Sequence, residues 1–132
     1  MMQPGTYFIG DLSNVMNTER QVLATIKNQG ESTLNDGRKI AAFAMMYGCG
    51  FYVCSSGDKI SVNDGIIGCM RLQDIRDNLT IANLKKMGAV VEFEKPFVVK
   101  EQGDTLIFGN VTVSDDFDTL APCFTGENYL FA

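Results

Sequence analysis

Aspartate stands beside glycine five times in this chain: Gly10-Asp11, Asp36-Gly37, Gly57-Asp58, Asp64-Gly65 and Gly103-Asp104. The pairing is ordinary turn chemistry, since Asp hydrogen-bonds its own backbone and Gly adopts the left-handed conformation. Asp36, Asp58 and Asp104 read as turn residues of this kind. Asp11 and Asp64 differ, because each stands between apolar, strand-like runs from which its carboxylate could face a cleft. Two such carboxylates can share acid–base work or hold Mg²⁺. The competing and weightier reading makes both of them turn residues at a sheet rim. A second constellation is Tyr47-Gly48-Cys49-Gly50-Phe51-Tyr52, where glycines permit close backbone approach and tyrosines could stack on a ring. Together these segments define a ligand-binding candidate made of Asp11, Tyr47, Gly48, Tyr52, Asp64 and Gly65. A glycine-kinked hairpin is the plainer account of Tyr47 to Tyr52. The segment matches neither the phosphate-loop nor the dinucleotide pattern.

Other chemistries fall away by residue type. The chain contains no histidine, which removes Ser-His-Asp and Cys-His arrangements and every imidazole metal site. Asp115, Asp116 and Asp118 suggest a cation loop, but such a loop wants Gly at its sixth position. Counting from Asp116, that position is Ala121. A solvated acidic turn fits better. Of the four cysteines, Cys49 and Cys54 are loosely spaced for a zinc knuckle and no second pair completes one. In a chain this size they read, with Cys69 and Cys123, as free thiols packed as small hydrophobes. No metal and no cofactor is expected.

Composition narrows the partners. Eleven basic against sixteen acidic residues leave a net charge of −5, and Arg38-Lys39 and Lys85-Lys86 are the only basic doublets. Without a basic stripe interleaved with aromatics, a nucleic-acid partner is not expected. The start, Met1 to Gly5, lacks a basic and apolar leader. The longest apolar run, Ile40 to Tyr47, has eight residues, where a membrane helix needs roughly 20. The expectation is a protein of the cytoplasm with no membrane partner. A length of 132 residues fits one domain.

The candidate residues must be positioned by short elements. Thr6 to Ile9 reads as an opening strand, and Asn17 to Asn28 as a helix with a capping box at Thr18 and Gln21 and a stop at Gly30. Asp36-Gly37 joins two hairpin arms. The second arm, Ile40 to Met46, is apolar on both parities, the mark of a central strand covered on both faces. Strands follow at Gly50–Cys54, Lys59–Val62 and Ile66–Leu72. A second helix spans Asn78–Met87, capped by Asp77 or Asn78 and ended by Gly88. Ala89–Phe93, Phe97–Lys100, Thr105–Phe108 and Val111–Val113 complete a meander. The fold class is α+β, mainly an antiparallel sheet of about nine short strands with two helices, as a curled sheet or a partly open barrel.

Tyr7-Phe8-Ile9-Gly10-Asp11-Leu12, Leu34-x-Asp36-Gly37-Arg38, Tyr47-Gly48-x-Gly50-x-Tyr52 and Val62-x-x-Gly65-x-Ile67-Gly68 occur in this order. The pattern resembles a family of small uncharacterised proteins of bacteriophages and bacteria, over about Pro4 to Leu72. The family pattern has an acid where Cys49 stands and a Val-Asp-small-Gly step where Asn63-Asp64 stands, so no catalytic role carries over. The resemblance implies a phage-type setting and no particular activity. The leading expectation is therefore a non-enzymatic binding protein, an accessory or host-interaction factor acting through protein contacts. Its partner would be a host protein or a second copy. The alternative is a small-molecule or nucleotide binder using Tyr47–Tyr52, and a third is a carboxylate-dependent hydrolase. The apolar end, Tyr129-Leu130-Phe131-Ala132, is read as a contact between subunits of a homo-oligomer.

Overall fold

The computed structural model describes residues 1–26, 30–44, 50–62, 66–103 and 105–115. Among these residues, ten strands form two five-stranded antiparallel sheets that do not close into a barrel. The first sheet contains β1 (Gly5–Asp11), β2 (Gly30–Thr33), β3 (Lys39–Ala44), β6 (Ile66–Arg71) and β7 (Ala89–Phe93), in the order β2-β3-β6-β1-β7. The second contains β4 (Gly50–Cys54), β5 (Lys59–Val62), β8 (Val99–Gln102), β9 (Thr105–Phe108) and β10 (Val111–Asp115), in the order β5-β4-β10-β9-β8. Two short helices, α1 (Arg20–Ile26) and α2 (Ile81–Met87), complete the α+β architecture.

Side-chain alternation sets the layers. Along β1, Tyr7 and Ile9 point toward the second sheet and meet Tyr52, Ile60, Leu106 and Phe108 in one buried cluster. Phe8, of opposite parity, joins Ile40, Ala42, Met70, Leu23 and Leu84 in a second cluster beneath the helices. The first sheet is thus the middle of three layers, and its inner strands β1, β3 and β6 are apolar on both faces for that reason. β3 is the clearest case, with Ile40 and Ala42 on the helix side and Ala41 and Phe43 on the sheet side. It lies between β2 and β6, as its two-parity pattern predicts.

Central packing leaves no room for a side chain at Gly68 of β6. A Cβ there would lie 1.9 Å from the carbonyl oxygen of Ala41, so the close approach of β3 and β6 depends on glycine.

Both helix starts differ from the sequence expectation. At the first, a 3₁₀ turn over Asn17–Glu19 precedes α1, and Thr18-Gln21 makes no capping box. Asp77 serves instead, its carboxylate accepting from the Asn17 N–H at 2.8 Å and from the Thr18 N–H and hydroxyl. Asp77 is therefore not the cap of α2. That role falls to Thr80, whose hydroxyl accepts from Asn83 N at 3.1 Å while Asn83 Oδ1 accepts from the Thr80 N–H at 3.2 Å. Gly88 ends α2 as expected. Among the described residues no helix is long and apolar enough to cross a membrane.

Candidate functional site

The Asp36-Gly37 turn, the start of β1 and the end of β6 meet around a cleft of about 470 Å³. The turn closes as a Leu34–Arg38 loop, with Leu34 N–H donating to the Arg38 carbonyl at 2.7 Å and Gly37 at φ 95°. Asp36 then folds back on its own loop, accepting from Arg38 N at 3.1 Å and Arg38 Nε at 2.9 Å. The Arg38 N–H and guanidinium, aided by Arg76, hold the Asp36 carboxyl below the usual carboxylate range. Arg38 is fully engaged, since it also donates to Glu19 at 3.1 Å and to the Asp74 carbonyl at 3.1 Å. Lys39, next along the chain, donates to the Met1 carbonyl at 2.7 Å and lies 3.5 Å from Glu31.

Arg71 is different. It ends β6 on the parity shared by Ile67 and Cys69, so its side chain leaves the sheet on the inter-sheet side, directly opposite Tyr7 in the register. Its Nη2 donates to the Pro4 carbonyl. Its Nε is buried and has no hydrogen-bond partner among the described residues. No carboxylate of the described residues forms an ion pair with it. A largely enclosed guanidinium without a counter-charge is costly, because buried charges are normally paired. Gly5 makes room for this arrangement. At φ 150° it takes a backbone conformation that side chains disfavour, and a Cβ would come within 3.1 Å of Arg71 Nε.

Tyr7 ties the cleft to the core. Its ring is buried edge-on against Phe93 and Phe97, with centroids 5.7 and 5.1 Å away. Its hydroxyl reaches the cleft and donates to the Gln3 carbonyl at 2.7 Å. Burial pushes the phenol above its ordinary value, while the neighbouring Arg71 acts in the opposite sense. The cleft is therefore a polar recess with one cation, Arg71, that has no ion-pair partner among the described residues, floored by a buried aromatic cluster. A separate recess of about 430 Å³ lies on the other side of that cluster, where Phe93 and Phe97 stack below Glu92 and Glu94.

The structure describes two of the six residues singled out in the sequence. Asp11 is fully buried, and its Oδ1 accepts from Ser13 N at 2.9 Å and Ser13 Oγ at 2.7 Å, capping the 3₁₀ turn Leu12–Asn14. Tyr52 is fully buried in the inter-sheet cluster. Tyr47, Gly48, Asp64 and Gly65 lie outside the described residues, as do Asp116, Asp118 and Tyr129 to Ala132. Cys54 and Cys69 are buried free thiols, and burial holds the Cys69 thiol far above its usual range. Cys49 and Cys123 fall outside the described residues. Among those described, no group of three or more acidic or thiol side chains could hold a metal ion.

Sequence reasoning missed Arg71 and Tyr7. The signal was a charged residue at the inward parity of an otherwise apolar strand, Ile67-x-Cys69-x-Arg71. Comparison with protein-family models, curated proteins and solved structures returned no match.

Proposed function

We propose that this chain is a non-enzymatic binding protein that holds an anionic group against Arg71 in the cleft beside Tyr7. The unpaired, largely enclosed guanidinium of Arg71 carries this reading. Such a charge gains most from a ligand that supplies the missing counter-ion, through charge-assisted hydrogen bonds that a guanidinium makes in planar, paired fashion. Catalysis by carboxylates has less support. Hydrolysis needs a carboxylate that water and substrate can reach, whereas Asp11 is enclosed and bonded to Ser13. The role expected from the resemblance, an accessory factor of phage type working through contacts with a protein partner, is compatible with a partner that presents the anion.

Thermal unfolding in the presence of acetate, phosphate and chloride at matched ionic strength tests the reading. A ligand that binds only the folded state stabilises it by mass action, by about 2.7 kcal/mol at a hundredfold excess over Kd. The midpoint of the wild-type chain is expected to rise with at least one oxyanion. The same additions should raise the midpoint of Arg71→Met by less. Because phosphate strengthens most folded states by exclusion from their surfaces, only the difference between the two proteins counts. Equal shifts in both would reject the assignment.

A further inference from the structure

We infer that the anion held at Arg71 is a single carboxylate and not a phosphate dianion. This rests on the binding reading above and adds the identity of the charged group. The charges around the cleft are nearly balanced. Arg38 is neutralised by Glu19 and Asp36, Arg76 also pairs with Asp36 at 2.8 Å, and Lys39 faces Glu31. Asp74 lines the same recess and acts electrostatically on Tyr7. The N-terminal ammonium also pairs with Glu31, so these groups comprise five cations (the N-terminus, Arg38, Lys39, Arg71, Arg76) against four anions (Glu19, Glu31, Asp36, Asp74). One negative charge at Arg71 therefore brings the cleft to neutrality. A second would leave a negative surplus, with Asp36 and Asp74 both on the wall of the recess. Like charges at such distances oppose binding directly.

The ligand's carboxylate could come from a free organic acid or from a polypeptide, and both meet Arg71 by the same chemistry. Calorimetric titration of the whole chain with acetate, with inorganic phosphate at about pH 8, where a phosphate carries close to two charges, and with a short peptide ending in a free carboxylate separates the cases. Acetate or the peptide is expected to bind at least about tenfold more tightly than phosphate, and the peptide's C-terminal amide to bind not at all. A peptide tighter than acetate assigns the carboxylate to a polypeptide. Equal affinity assigns it to a small acid, and either result supports the inference. Phosphate binding as well as or better than acetate, and lost in Arg71→Met, would overturn it while leaving the binding function intact. Binding of none of the three would remove both. Asp74→Asn supplies a second check: relief of repulsion should raise phosphate affinity several-fold and change acetate less. An unchanged ratio would overturn the charge argument.

Discussion

Arg71 and Tyr7 face each other across the β1–β6 ladder, and each sets the other's chemistry. Burial raises the phenol of Tyr7 above its ordinary 10.0 and Arg71 opposes that rise. In Arg71→Met the phenol should therefore titrate higher still. Ultraviolet titration, taken as the difference from Tyr7→Phe in each background, reads the shift, and an unchanged midpoint would contradict the pairing. The sign for stability follows. A folded-state value above the unfolded one means the contribution is complete below about pH 10 and is lost as pH rises further, because only the unfolded chain ionises easily. Gly5→Ala should cost more than about 1 kcal/mol in denaturant unfolding, since it strains a positive φ and crowds Arg71. Asp11→Ala should cost about 1–3 kcal/mol by orphaning the buried Ser13 N–H, whereas Asp11→Asn retains an acceptor and should recover most of that loss. The two tyrosine-and-aspartate segments were conspicuous in the sequence because turn and aromatic residues are conspicuous anywhere. Arg71 was not, since its significance depends on which strand lies opposite it. Alternation gave its face, but no local pattern gave Tyr7 as its neighbour.

Strands were more legible than helices at the level of elements. Period-two alternation and glycine-bearing turns locate β1, β3 to β7 and β9 closely, and the two-parity run of β3 also gave its central place. The partition into two sheets was hidden, because pairing β10 with β4 joins residues far apart in the chain. Helix starts were misread for a related reason. Asp77 lies immediately before a plausible helix and looks like its cap, yet it reaches back some sixty residues to Asn17 and Thr18. A contact of that range leaves no local trace. Thr80→Ala is expected to destabilise the chain by about 1 kcal/mol in chemical unfolding, a loss that would be absent if Asp77 capped α2. Gly68→Ala should cost about 3 kcal/mol or more, because the obstructing atom is backbone and cannot turn aside.

The whole molecule is three-layered: an outer sheet, a middle sheet buried on both faces, and a pair of helices. The cleft opens where the middle sheet ends, so its walls are strand termini and one tight turn held by a rigid core. Sites on such elements keep their geometry without a ligand, which favours recognition over large conformational change. The chain's net charge of −5 makes a semi-enclosed cation with no ion-pair partner among the described residues a conspicuous feature at this scale. The most direct measurement of this cation is the Nε–Hε resonance of Arg71 in a nitrogen–proton NMR spectrum, identified by its loss in Arg71→Lys and followed as acetate is added. A saturable shift of this resonance, with the other arginine side chains unmoved, is the expected result. A resonance that stays fixed throughout the titration, or that moves only in step with all the others, would contradict it.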